Sequence, residues 1–204
     1  MTCLETLPPP PLAESCIAVL ETKRLVLRAP RLEDAKAIAA IANDRRIAEN
    51  TARIPHPYRQ QDAEAWISGT NLEPGEETYL ITSNGSVIGG CGFDLRDGNL
   101  GDDTAPEIGY WLGAKHWGKG YATEAVRALI DHAFTDLELT ALQSSVRVTN
   151  PASRRVLEKC GFQWTGVGLC RIRAIGSSVP VDRFRLERGI WTALKSWGPF
   201  RRLA

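Results

Sequence analysis

No apolar run in the 204 residues approaches the ~18 that would read as a membrane-crossing helix. The first residues lack the basic start and long apolar core of a secretory signal. Histidine and cysteine are sparse and dispersed: His56, His116 and His132, with Cys3, Cys16, Cys91, Cys160 and Cys170, form no C-x-x-C pair. Neither a zinc site nor a disulfide framework is indicated. Charge of one sign is also lacking, since 25 basic and 24 acidic residues leave a net +1, which offers no broad basic field for nucleic acid. These absences predict a cytoplasmic protein with reduced thiols and no metal, nucleic-acid or membrane partner. Hydrophobic residues at 43% and charged residues at 24% are an ordinary globular balance, and the length suffices for one well-cored domain.

Residues 1–20 stand apart. Pro8–Pro11 favours extended polyproline backbone, and its neighbours show neither a helical nor a strand period. We expect a flexible N-terminal tail over 1–20, one domain over 21–197 and a short C-terminal tail over 198–204. A docking arm and a plain terminal appendage both remain open for the first of these.

Along the chain, Thr22–Arg28 alternates as a strand, and Leu32–Ala42 and Tyr58–Thr70 carry apolar residues at helical spacing. Thr78–Thr82 and Ser86–Phe93 flank Asn84-Gly85, the dipeptide best suited to a type I′ hairpin turn. Asp94–Ala105 reads as an acidic loop, and Glu107–Leu112 as the next strand. Tyr121–Phe134 contains no glycine or proline and reads as a helix buried on more than one face, leaving Lys119, Arg127 and Asp131 to solvent. Thr140–Val148 is a strand parallel to Glu107–Leu112, joined to it by a right-handed crossover. Asn150 before Pro151 marks the cap and first position of a helix reaching Cys160. Trp164–Ile175 and Val179–Glu187 form a closing hairpin, and Trp191–Trp197 a short helix.

The sequence is organised around WLGAKHWGKGYATEAVRALIDHAF (111–134). Gly118 and Gly120 free the backbone for positive φ immediately before the helix, whose first amides lack internal partners. The segment Gly118–Thr123 therefore suits a phosphate or pyrophosphate, although paired glycines also serve ordinary strand-to-helix turns. Gly113 to Gly120 falls one residue short of G-x-x-x-x-G-K-[ST]. Gly120 stands where a magnesium-binding hydroxyl is needed, which argues against kinase-like chemistry.

Trp117-Gly-Lys-Gly120-Tyr-Ala122 matches the phosphate turn Q/R-x-x-G-x-G/A of the GNAT acyltransferases, with Trp117 at the Gln/Arg position. EIGYWLG (107–113) followed by WGKGYATEA, and Asn150 to Phe162 as N-x-x-S-x-x-x-x-E-K-x-G-F, resemble the Rim-type branch, which acetylates protein N-termini. The resemblance extends over residues 21–192. It implies an α/β fold of α+β character, a mostly antiparallel sheet with a central parallel pair splayed at the cofactor site. It also implies acetyl-coenzyme A as donor, a cytoplasmic setting, and a monomer or homodimer. Residues implied to hold the cofactor are Tyr110, Trp111, Leu112, Trp117, Gly118, Lys119, Gly120, Tyr121, Ala122, Thr123, Asn150 and Ser153. The two N-terminal helices of such a fold and their connection cover one side of the acceptor groove, which makes Asn50, Arg53, Ile54, His56 and Tyr58 candidates to touch substrate.

Amine acetylation needs a neutral nucleophile, a polarised carbonyl and a protonated leaving thiol. Glu107 is the candidate base, with a strand-edge ion pair as its plainer alternative. Many family members carry a tyrosine just before E-K-x-G-F, whereas this chain has Leu157. Ser153 is therefore the candidate acid, with support of the helix start as its alternative. The carbonyl would be polarised by a backbone amide of Tyr110–Leu112. An α-amine is already partly neutral near pH ~7.7 to 8.0, unlike lysine near ~10.4, so a modest base suits an N-terminus. The expected acceptor is thus a protein or peptide α-amine. A small-molecule amine, or a coenzyme A sensor without transfer, is the alternative.

Overall fold

The computed structural model describes residues 17–70, 76–94 and 105–196. Where the alternation predicts a strand over Thr22–Arg28, only its last three residues form one: β2 (Val26–Arg28) runs antiparallel to β1 (Leu20–Glu21), which precedes the predicted span, with Leu20 opposite Leu27. Thr22 makes the difference. Its N–H donates to Leu25 O and its hydroxyl oxygen accepts from Leu25 N–H, both at 2.9 Å, so the side chain closes a turn that a continuous strand would forbid. Ile17 and Leu20 pack against the main core, which carries the sheet into the stretch assigned to the tail. Pro8–Pro11, the acidic stretch 95–104 and residues 197–204 lie outside the described residues.

A 3₁₀ turn at Leu32–Asp34 leads into α1 (Ala35–Ala42), so the helix expected from Leu32 begins three residues later. Asp34 sets that start. Its carboxylate accepts from Arg31 N–H at 2.9 Å and from both Arg28 guanidinium ends at 2.8 Å. The four-residue α2 (Arg45–Ala48), capped by Asp44, was not foreseen, being too short to show a period. Helix α3 (Gln60–Ser68) then packs with α1 in a small cluster around Ile38, Tyr58, Ala63 and Leu80.

Strands β3 (Glu76–Ser83) and β4 (Ser86–Asp94) are joined by Asn84 and Gly85 at φ 49° and 75°, as a type I′ turn requires. After β5 (Glu107–Leu112) come α4 (Tyr121–Thr135), β6 (Ala141–Arg147) and α5 (Pro151–Lys159). The hairpin β7 (Gln163–Ile172) and β8 (Ser177–Glu187) follows, then α6 (Arg188–Ser196), which starts three residues before the expected Trp191. Among the described residues the sheet has eight strands in the order β1-β2-β3-β4-β5-β6-β8-β7. Every neighbouring pair is antiparallel except β5 and β6. The expected mixed sheet with its central parallel pair is therefore what the chain forms. No described helix is long and apolar enough to cross a membrane.

The alternation in β5 assigns its two faces. Ile108 and Leu112 enter the main core under α4, and Tyr110 packs against it, whereas Trp111 packs against the α1–α3 cluster. Glu107 shares the parity of Trp111.

Candidate active site

The β5-to-α4 connection passes through a 3₁₀ turn at Ala114–His116 and then the two glycines, Gly118 at φ 74° and Gly120 at φ 79°. Both angles are left-handed, where a β-branched residue would be strained. Gly120 is the N-cap of α4, and the first amide bonded back into the helix is Glu124 N–H to Gly120 O at 3.1 Å. The amides of Tyr121, Ala122 and Thr123 precede it at the positive end of the helix dipole. Nothing crowds the space over Gly118, and a Cβ on Gly120 would meet only Arg24, at 3.4 Å.

Two contacts hold the turn in place. Trp117 Nε1 donates to Leu112 O at 2.7 Å, tying the turn to the end of β5, and the Arg46 guanidinium lies 5.5 Å from the Trp117 ring centre. Arg24, which sequence reasoning missed, donates to Lys119 O at 2.9 Å and to Glu124 through both its backbone N–H (2.8 Å) and Nε (2.7 Å). Thr22 adds a hydroxyl bond to Glu124 at 2.7 Å. Burial pushes the Glu124 carboxyl up, but the Thr22 and Arg24 bonds outweigh it and hold the group below its usual range. A cation is thereby fixed beside the turn. His116 lies nearby with Nε2 buried and unpartnered, and burial with Lys115 and Lys119 lowers its pKa, favouring the neutral ring.

Between β5 and β6 the ladder registers only Glu107 with Gln143. Ser144 Oγ still reaches Ile108 O at 2.9 Å, but no register continues along Tyr110–Leu112, so the parallel pair splays toward the turn. On the α4 side of this gap stands Ser153. Its amide donates to the Asn150 cap Oδ1 at 3.1 Å, with Pro151 at the first helical position. Its Oγ lies 2.8 Å from the Tyr110 hydroxyl, which is also 3.1 Å from Ser153 O. With the phenolic proton on the carbonyl, the serine donates to the phenol. With that proton on Oγ, the serine proton is free for another acceptor. Burial raises the Tyr110 pKa strongly, so the phenol stays protonated. This hydroxyl pair was not foreseen, because Tyr110 was assigned to the site through its backbone alone. Leu157 is fully buried in the core.

Glu107 occupies the opposite face. Burial raises its pKa, with bonds from Ser145 and the charge of Arg53 acting against that rise. Glu107 and Ser153 thus flank the gap from two sides. The candidate acceptor residues divide. Arg53 pairs with Asp94 at 2.9 Å and belongs to the surroundings of Glu107. Tyr58 is buried, its hydroxyl pushed up to about 12, and its amide is bonded to Asn43 Oδ1. Ile54 packs beside it, Asn50 bonds back to Arg46 O at 2.8 Å, and His56 is exposed. The loop carrying them is pinned over the sheet by Arg147 to Glu49 O at 2.7 Å and by Arg173 N–H to Ala52 O at 3.0 Å.

A mostly antiparallel sheet whose one parallel pair splays beside a glycine turn at a helix N-terminus defines an acyltransferase fold. The chain belongs to the GNAT acetyltransferases: the acetyltransferase (GNAT) domain family matches residues 24–163. The uncharacterized N-acetyltransferase p20 of Bacillus licheniformis is 34% identical over 171 residues, covering 82% of this chain and 94% of that protein. The ribosomal-protein-serine acetyltransferase of Escherichia coli K12 is 43% identical over 84 residues, covering 41% and 45%. Among solved structures, RimL, a ribosomal L7/L12 α-N-protein acetyltransferase in complex with coenzyme A, has TM-score 0.73 at 20% identity, covering 83% of this chain and 98% of that one. The chain is accordingly an acetyltransferase.

Proposed function

We propose that this acetyltransferase moves acetyl from acetyl-coenzyme A to the α-amine of a peptide or protein N-terminus. The observation that carries the reading is the splayed gap between β5 and β6, with a buried carboxyl on one face and a paired hydroxyl on the other. Coenzyme A fits the residues present. Gly118–Thr123 offers free first-turn amides under open space, Arg24, its charge shared with Glu124, holds the turn through Lys119 O, and the unpaired edge of Tyr110–Leu112 can take an extended arm. When bound, the cofactor supplies an activated acetyl thioester.

Glu107 acts on the amine. A carboxyl pushed up by burial is a stronger base than an ordinary one, yet remains far from the ~10.4 of lysine. It suits an α-amine, half neutral at ~7.7 to 8.0, which asks only for removal of the last ammonium. Ser153 holds a hydroxyl on the cofactor face, and the protonated Tyr110 hydroxyl orients it through their shared bond. Asn150 fixes the serine by capping its helix. The resemblance to the Rim-type branch, the ribosomal-protein-serine relative and the L7/L12 α-N-acetylating neighbour all support an N-terminal acceptor.

The test is transfer of isotope-labelled acetyl to a panel of peptides, with fragmentation locating the label. Label on the first nitrogen is expected. Label confined to lysine side chains, or to small amines and no peptide, overturns the reading.

A further inference from the structure

Beside Glu107 the sheet carries a 260 Å³ hollow lined by Gln143, Ser145, Thr165, Val167, Arg183 and Arg185, among others. Register explains the grouping. Gln143 stands opposite Arg185, and Ser145 opposite Arg183, so these side chains share one face of β6 and β8. Glu107 is the register partner of Gln143 along the ladder, and Ser145, two residues on along the same face, is near enough to hold its pKa down against burial. The hollow and the base are therefore adjacent.

Arg183 differs from its cationic neighbours. Arg185 pairs with Glu187, Arg154 with Glu158 and Asp182, and Arg147 bonds Glu49 O. The Arg183 guanidinium makes no hydrogen bond or ion pair among the described residues, and its Nε is buried without a partner. Its position is nonetheless fixed. It lies flat on the bare backbone of Gly168, where a Cβ would sit 2.5 Å from Nε and 2.7 Å from Nη2. Nor is it spent on the base, because the cation whose field acts on Glu107 is Arg53. Among the described residues this half-buried guanidinium has no partner, its unsatisfied buried donor being Nε, and it gains when a planar anion meets it.

Resting on the acetyl-transfer reading, we infer that Arg183 anchors a carboxylate of the amine acceptor, so that the substrate class is an amine bearing a nearby acid. Two sources have this chemistry: the α-carboxylate of a free amino acid, and an Asp or Glu side chain just after the N-terminus of a peptide. The hollow holds the acid while Glu107, across Ser145, faces the amine.

Calorimetry with acetylated products in the presence of coenzyme A separates these sources without turnover. N-acetylglycine is compared with N-acetylglycinamide, and N-acetyl-Ser-Asp-Ala-amide with its Asn counterpart. A preference for the carboxylate of about ten-fold or more is expected in one pair, the first indicating amino acids and the second acidic N-termini. Arg183→Met should abolish that preference, and Arg183→Lys should retain part of it, the coenzyme A melting shift confirming that each variant is folded. No preference in either wild-type pair, including no binding at all, overturns the inference, as does a preference unchanged in a folded Arg183→Met variant. If a variant fails to fold, the wild-type pairs still decide. Acetyl transfer without carboxylate preference would sink this inference alone. Carboxylate preference with no transfer to any amine would sink the transfer reading and leave the anchor.

Discussion

At the scale of residues, Ser153 and Glu107 make different kinetic demands. If Ser153 donates only as charge develops on the leaving group, Ser153→Ala should lower kcat on the order of ten- to a thousand-fold with cofactor affinity nearly intact. Tyr110→Phe removes the partner but leaves the serine, so a smaller loss of the same kind is expected; single-turnover rates check both. Wild-type chemistry in Ser153→Ala would remove the serine from the mechanism. Glu107→Gln should depress activity most below the acceptor's own pKa and recover as pH rises and free amine accumulates. A profile merely scaled down in parallel would refute the base. Stability should move the other way. Because burial raises the Glu107 pKa in the fold, ionisation weakens the fold as pH climbs from the ordinary carboxylate value to the raised one. Glu107→Gln should therefore melt no lower than wild type at neutral pH. Their roles are proposals, but the place of each in the fold was legible, Glu107 at a strand start and Ser153 one turn into a capped helix. The Tyr110 hydroxyl was not, because its partner lies 43 residues away, and Arg24 was hidden for the same reason, 95 to 100 residues from what it touches.

At the scale of elements, the turn before α4 depends on left-handed backbone at Gly120. Gly120→Val would strain that backbone, point a branched side chain at Arg24, and crowd the space over the first-turn amides. It should abolish coenzyme A binding by calorimetry; unchanged affinity in a folded variant would count against the turn. The start of α1 invites a stability test. Burial pushes the Asp34 carboxyl up, but bonds from Arg28 and Arg31 hold it below the usual range. Its contribution should be fully present above the unfolded value near ~3.9 and be lost as pH falls through the lowered one. Asp34→Asn should cost about 2 to 4 kcal/mol at pH 7 and less in acid, as followed by urea denaturation. An equal cost at both pH values would show that packing rather than charge matters there. Elements with strong local signals were the readable ones: the Asn84-Gly85 hairpin, the long α4, and α5 with Asn150 and Pro151. The division of β1 from β2 was not, because it turns on the Thr22 hydroxyl accepting from the Leu25 amide three residues on. The short α2 carries too few residues for any period.

At the scale of the whole molecule, the parallel pair followed from the crossover and the mostly antiparallel remainder from the family resemblance, whereas the place of β8 between β6 and β7 was not read from the sequence. Nor was which side chains face each other. That Glu107 and Ser153 would flank the β5–β6 gap from opposite faces depends on the parity of β5 and on where α5 lands. The hollow of Arg183 depends on β6 and β8 meeting in one register, which spacing along the chain does not encode. The acceptor side is likewise assembled by distant contacts, Arg147 with Glu49 and Arg173 with Ala52. The central claim is that this assembled gap and the glycine turn beside it receive coenzyme A. Thermal unfolding with ligand present tests it most directly, because a ligand selective for the native state raises the melting temperature by mass action. Coenzyme A and acetyl-coenzyme A should raise it progressively with concentration while ATP with magnesium does much less. A shift with ATP and none with coenzyme A would contradict the account and return the turn to the nucleotide-binding loop it narrowly fails to match.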